Sequence, residues 1–373
     1  MIDYKQKLFS TLKNYLGWSS QRKIVVFSVD DYGNVRLAST EARKKLIKAG
    51  ADLDKNRFDT YDSLETAEDL SLLYEVLNSV KDAKGRSAKF TAYALSANID
   101  FEKVLQENDG RYYYEVLPQT FAKLPGYETV WDVWQEGVKK GFIEPQYHGR
   151  EHLNIQYFEK AYAVKDAIFL TCLQERSWSG LPRLGFKQLD YASAFAYETA
   201  KDIPQVSKLA LEGLKTFKEV FGTEAKSFTS PGGYTHHKVE QNLMQGGISF
   251  VDTAFIKKEP QGDGVFSYTF NRSGVRNKVG QFNLVRNSVF EPSQAVHYDW
   301  VDQCMAEIEM AFRFGKPANI SSHRVNFCGL IDPNNRSRGL KDLERLLKAI
   351  TKKWPEVEFI SAGELGELIK SES

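Results

Sequence analysis

Cysteine is scarce and scattered in this chain. Cys172, Cys304 and Cys328 are its three thiols in 373 residues. Spread so widely, they give neither a disulfide framework nor the paired spacing of a zinc ribbon. Long apolar runs are missing too. No stretch approaches the ~18 apolar residues of a membrane span, so no integral membrane segment is expected. The opening Met1-Ile2-Asp3-Tyr4-Lys5-Gln6-Lys7 lacks the apolar core of a secretory signal. With the sparse cysteine, this predicts a cytoplasmic protein. Neither sign of charge is in excess: 50 Lys and Arg against 49 Asp and Glu leave a formal net charge of +1. Near-neutrality argues against a nucleic-acid partner held by massed phosphate contacts. Internal repeats, low-complexity tracts and linkers are absent as well. What remains is 42% hydrophobic and 27% charged, an ordinary globular composition. One α/β barrel can reach this length intact.

Strand-like and helix-like segments alternate. Residues 3–16 read as a peripheral amphipathic helix, with Leu8, Leu12 and Tyr15 on one stripe. An apolar strand over 23–29 follows, then helices over 40–49 and 66–80. Strand 89–95, helix 129–140 and strand 142–147 continue the alternation. Helical segments fill 154–222, broken near 177–186 and at Pro204. The second half predicts strand 225–229, helix 236–245 and strand 247–251. Segments 264–270 and 281–286 read as a peripheral hairpin. Helix 298–314, strand 318–322, helix 337–352, strand 356–360 and helix 362–370 complete the chain. Such alternation implies a mainly parallel sheet or barrel.

Chemistry-bearing residues cluster after the strands. Asp30-Asp31 ends the run Lys23–Val29. His148-Gly149-Arg150-Glu151-His152 follows strand 142–147. Ser230-Pro231-Gly232-Gly233-Tyr234 follows 225–229, and His323 ends strand 318–322. Parallel α/β folds keep their chemistry at the carboxyl ends of strands. On a helical turn His148 and His152, four apart, would share one face and could hold one ion. A carboxylate and two imidazoles make a three-ligand metal set, with one acid left for proton transfer. The zinc-protease pattern needs Glu directly after the first His, and Gly149 stands there. Asp30 and Asp31 are adjacent, so a regular strand would point them to opposite faces. Gly33 makes a bend that unites them plausible. Asp30-Asp31 also reads as a polar turn after a buried strand.

Taken in order, Ser28-Val29-Asp30-Asp31-Tyr32-Gly33, His148–His152, Ser230–Tyr234 and Ile320-Ser321-Ser322-His323 resemble the motifs of the polysaccharide deacetylases of NodB-homology type. That family lies within the glycoside hydrolase/deacetylase superfamily. The resemblance spans about residues 20–365 and implies one distorted (β/α) barrel of about seven mainly parallel strands. One domain would cover 1–373, with a peripheral N-terminal helix and inserted segments. It implies a divalent metal, usually zinc, on Asp31, His148 and His152. Asp30 would be the general base on the attacking water and His323 the general acid toward the leaving group. The Gly233–Tyr234 loop would supply a backbone donor to the oxyanion, with Tyr234 among the catalytic residues. Asp299-Trp300 resembles an Asp-Trp element of the family. Many members carry Arg-x-Pro-Tyr in the mid-chain loop. Here the Arg is missing and two glycines separate Pro231 from Tyr234. Arg324 and Arg150 are candidate substitutes and, with Gly233 and His236, candidate substrate contacts. A surface or structural ion pair is the other reading of Arg324 and Arg150, and a helix start that of His236-His237.

The resemblance therefore predicts a carbohydrate substrate and removal of an acetyl or other acyl group from N or O. A glycoside hydrolase is the second enzyme class, which would need carboxylates flanking a glycosidic bond. A carbohydrate-binding protein without turnover is the third. Phe58–Thr66, with Asp59, Asp62 and Glu65, reads either as a sugar-site wall or as the cap of the next helix through Ser63 or Thr66.

Overall fold

The run Ile24–Tyr32 (β1) is buried along its whole length. Near-continuous apolar sequence is what a strand covered on both faces requires. The computed structural model describes residues 11–187 and 189–373. Around β1 the chain builds β2 (Phe90–Ala94), β3 (Ile143–Tyr147), β4 (Ser227–Phe228), β5 (Phe250–Ala254), β6 (Phe282–Arg286), β7 (Ser288–Val289) and β8 (Ala318–His323). The order is β6-β5-β4-β3-β2-β1-β8-β7, and all these pairings are parallel. A short β9 (Glu358–Phe359) pairs with the first residues of β1.

One residue, Asn287, separates β6 from β7. The same chain segment thus pairs with β5 on one side and β8 on the other, drawing the two ends of the sheet into a nearly closed, distorted (β/α) barrel. Asn287 takes part in the closure. Its N–H donates to Asn319 O at 3.0 Å, its Oδ1 accepts from Asn319 N at 2.9 Å, and its Nδ2 donates to Pro317 O at 2.9 Å.

Helices cover the outside. Ala67–Asn78 starts at a capping box between Thr66 and Asp69 and buries Leu70, Leu73 and Leu77. Ser361 starts Ala362–Ser371 with a second capping box, to Glu364, and the Ser39 hydroxyl caps Thr40–Lys48 by accepting from Ala42 N. Each such cap contributes roughly 0.5–2 kcal/mol. Among the described residues no helix is long and apolar enough to cross a membrane.

Several elements differ from the sequence reading. Phe282–Arg286 is a barrel strand, not half of a peripheral hairpin. The hairpin joins Ile256–Gly262 to Val265–Phe270. Its turn is Asp263-Gly264, both with positive φ (56° and 80°), as a two-residue hairpin loop prefers. Pro204 does not break a helix but sits in the first turn of Ile203–Phe221, where its missing N–H costs nothing. Residues 11–15 are helical, while residues 3–10 of the expected first helix lie outside the described residues. Leu12 and Tyr15 are exposed, with the Tyr15 ring edge-on to Phe314 at 6.4 Å.

The barrel interior beneath the carboxyl ends is polar. The Ser28 hydroxyl donates to Asp252 and lies 2.8 Å from Asn319 Oδ1. Asn319 Nδ2 and Arg286 Nε both donate to Asp252 Oδ1, at 3.2 and 2.9 Å. Buried polar groups are tolerable when they satisfy one another in this way.

Candidate active site

The end of β1 bends as the two aspartates require. Pairing with β2 slips between Val29 and Tyr32. Asp31 has φ 77° and Gly33 φ 78°. A non-glycine residue in this left-handed region costs about 1–3 kcal/mol and persists only where its surroundings hold it. Here the holder is Glu65, whose two carboxylate oxygens accept the Gly33 N–H at 3.0 and 3.1 Å. As a result Asp30 and Asp31 both line one cavity of about 530 Å³.

His148 and His152 reach the same point. Their Nε2 atoms lie 3.3 and 3.0 Å from Asp31 Oδ1. They do not share a helical face: residues 148–154 form a loop after β3, reversed at Gly149 with φ 102°. His148 Nδ1 lies 2.9 Å from the Thr229 carbonyl oxygen. A carbonyl only accepts, so Nδ1 carries the proton and Nε2 turns its lone pair toward Asp31. A lone pair facing an anionic oxygen needs a cation or proton between them. The His152 Nδ1 is buried without a hydrogen-bond partner. Burial opposes ionisation of Asp31, yet the imidazoles around it hold its pKa well below the usual carboxylate value. This N, N, O donor set fits a divalent metal such as zinc.

Two further pairs flank that centre. Arg286 clamps Asp30 with both terminal nitrogens, at 2.7 Å to each carboxylate oxygen. Its Nε is held by Asp252, which fixes the plane of the fork. On the neighbouring strand, His323 Nδ1 lies 2.6 Å from Glu291 Oε1, so Nδ1 carries the proton. His323 Nε2 faces the cavity, 3.8 Å from Asp30 Oδ2. Glu291 is held in turn by Arg57 and by Asn326 Nδ2 at 2.7 Å. Burial disfavours the imidazolium, but Glu291 outweighs it and, with Asp30 and Asp31, raises the His323 pKa above its ordinary value. Burial likewise opposes the Glu291 charge, yet His323 and Arg57 bring its pKa down to about 2.

Other residues singled out from sequence have different places. Gly233 lines the cavity, but the Tyr234 ring packs on Phe266 at 5.6 Å and is not part of the cavity wall. Arg324 is buried, with ion pairs of 2.9 Å to Asp62 and 2.7 Å to Glu65. It neither lines the cavity nor replaces the missing loop arginine. Arg150 pairs with Glu151 and lies over the Tyr114 ring, away from the cavity. His236 caps helix His237–Gln245, its Nδ1 accepting from Lys238 N. Its Nε2 therefore carries the proton, and His236 is not among the residues lining the cavity. Burial lowers its pKa to about 4. Asp299 caps Trp300–Arg313 and pairs with Arg345. Asp59, Asp62 and Glu65 are tied into buried networks, while Phe58 and Arg36 reach the cavity.

Sequence reasoning misses Arg286 and Glu291. Both follow from placing 282–289 in the barrel: Arg286 then ends β6, and Glu291 lies just past β7, facing the end of β8.

No family model matches the chain, and no curated protein matches it. Solved structures do. Puue allantoinase is 12% identical, with TM-score 0.44, covering 94% of this chain and 91% of its own. A structure assigned as a polysaccharide deacetylase from Mycobacterium smegmatis is 10% identical, with TM-score 0.47 and coverages of 96% and 93%. The peptidoglycan deacetylase PdaC from Bacillus subtilis is 9% identical, with TM-score 0.36 and coverages of 94% and 93%.

Proposed function

We propose that this chain is a divergent polysaccharide deacetylase, one barrel domain that hydrolyses an acyl group from an N- or O-acylated sugar. The observation that carries the reading is the convergence of Asp31, His148 and His152 beside two supported proton carriers, Asp30 and His323. Asp31, His148 and His152 would hold a divalent ion, zinc by preference. Bound there, it would supply Lewis-acid polarisation and acidify water. Asp30, held by the Arg286 fork, takes the proton from the attacking water. His323 Nε2 gives a proton to the departing amine or alcohol, while Glu291 keeps the ring oriented and protonated. The Gly232–Gly233 backbone shapes the cavity wall beside His148.

The glycosidase reading finds less support. It needs two free carboxylates on opposite sides of a bond. Among the described cavity-lining residues the carboxylates are the adjacent Asp30 and Asp31, one clamped by arginine and one by imidazoles.

The test combines metal analysis with acetate release from a panel of acetylated sugars. Asp30→Asn and His323→Ala should keep metal and fold but lose ~10²–10⁴-fold in turnover. Release of new reducing ends without acetate would select the glycosidase. Sugar binding without turnover in the metal-loaded protein would select a binding protein.

A further inference from the structure

The hairpin Ile256–Phe270 is built inside out. Its register pairs Ile256 with Phe270, Lys258 with Tyr268 and Pro260 with Phe266 on one face. Lys257 with Thr269 and Glu259 with Ser267 make the other. A hairpin laid on a protein normally turns its apolar face inward. Here the polar face is the inner one: Glu259 is 2% exposed, accepts from His237 and Lys257, and packs by helix His237–Gln245. On the opposite face Pro260 is buried and Phe266 packs on Tyr234, but the end near Ile256 and Phe270 is outside. Tyr268 is 62% exposed, Phe270 64% and Ile256 37%. The Lys258 ammonium lies 3.9 Å over the Phe266 ring, leaving its stem along the same face.

This face is continuous with the cavity. Phe255 and Ile256 line the cavity wall. The Phe270 ring meets Phe255 edge-on at 5.7 Å. An apolar strip therefore runs from the cavity through Phe255, Ile256 and Phe270 to Tyr268. Clustered exposed apolar groups of this kind mark binding surfaces. We infer that the strip receives an apolar chain carried by the substrate, so that the acylated sugar in the cavity is the head group of an alkyl or polyisoprenoid glycoside. The inference rests on the deacylase reading and adds the substrate class. An extended glycan fits this part less well. Phe255, Ile256 and Phe270, nearest the cavity, offer no side-chain hydrogen bond to a sugar hydroxyl, whereas sites that read hydroxyls place polar groups among their rings.

The experiment uses the metal-loaded full chain and N-acetylglucosamine glycosides with methyl, butyl, octyl and dodecyl aglycones, each below its micelle concentration. Wild-type kcat/KM should rise by about tenfold or more from methyl to dodecyl, chiefly through KM. The Tyr268→Ser/Phe270→Ser variant, and Tyr268→Ser alone in smaller measure, should flatten that rise and leave the methyl glycoside unchanged. Both positions are exposed, and equal melting temperatures would show that the fold is intact. Dodecyl glucoside, which has no acyl group, is titrated calorimetrically in parallel. It should bind wild type and not the double variant. If it does so while no substrate releases acetate, the strip stands and the deacylase reading falls. If acetate is released with no chain-length dependence and dodecyl glucoside does not bind, the strip inference alone is overturned. Tighter binding with added sugar units in place of alkyl carbons would overturn it, as would a dimer that the double variant dissolves.

Discussion

A general base must keep its aim. Asp30 is buried, and Arg286 holds its carboxylate through a two-nitrogen fork whose own plane Asp252 fixes. Lysine can replace the charge but not the fork. Arg286→Lys should therefore lower kcat by roughly tenfold or more with metal content unchanged, and Arg286→Gln should lower it further toward the ~10²–10⁴ scale of the lost base. Unaltered kcat in both variants would remove Arg286 from the mechanism. The opposite side is a question of pH. The raised His323 pKa keeps the ring protonated above its ordinary value of 6.5, against its burial. Activity that needs a donor should then fall as pH rises through that elevated pKa. Glu291→Gln removes the raising charge, so the alkaline limb of kcat should move to lower pH. Stability follows the same sign. The His323–Glu291 contribution is complete below the ordinary imidazole pKa and is lost as pH rises through the raised one. For Glu291 the pKa is brought down from 4.5 to about 2, so its contribution is present above 4.5 and is lost as pH falls through about 2. A pH–rate profile and melting curves of wild type and Glu291→Gln check both; an unmoved alkaline limb would mean that His323 is not the donor.

At the scale of elements, the end of β1 is where local geometry becomes chemistry. Gly33 has φ 78°, and a Cβ there would lie 2.9 Å from Leu117 Cδ2 and 3.1 Å from Leu95 O. Gly33→Ala should cost about 1–3 kcal/mol. Because Gly33 anchors the left-handed turn at Asp31, the same change should weaken metal affinity, measured by competition with a chelating dye, while Ser39→Ala loses only a helix cap and leaves affinity intact. The sequence makes much of this region legible. The apolar run of β1 declares a buried strand, and the polar residues that end β1 and β8 fall at one mouth of the barrel. Gly33 announces the bend. The partners of these residues are less visible, because Arg286 and Glu291 lie more than 250 residues from Asp30 and share no local pattern with it. Phe282–Arg286 is short and alternates like an edge strand, so periodicity alone assigns it to a hairpin. The Asp263-Gly264 turn is the local signal that 265–270 already has another partner. Arg150 and Arg324 show the converse limit. Adjacency to a motif histidine places them near the site in sequence, yet strand and loop geometry turn both side chains into buried ion pairs.

On the scale of the whole molecule, the site depends on closing the barrel, since its parts come from opposite ends of the sheet order. The metal-ligand residues belong to β1 and the loop after β3. The residues that support the proton carriers, Arg286 and Glu291, flank the closing segment. Asn287 lies between them and bonds Asn319 and Pro317 through main chain and side chain together. Asn287→Ala would leave the buried Asn319 N–H and Pro317 carbonyl without those partners, at a cost of about 1–3 kcal/mol for each unsatisfied group. A loosened closure should also let Arg286 drift from Asp30. Metal content should hold, because its ligands lie elsewhere, while kcat falls. The control is Leu346→Ala in helix Pro333–Lys353, where Leu346 is fully buried. That change should cost about 2–5 kcal/mol through a cavity remote from the site. Compared at a temperature where both variants are folded, Leu346→Ala should keep wild-type kcat and Asn287→Ala should not. Equal kcat in the two would confine Asn287 to holding the barrel together and would separate closure from catalysis.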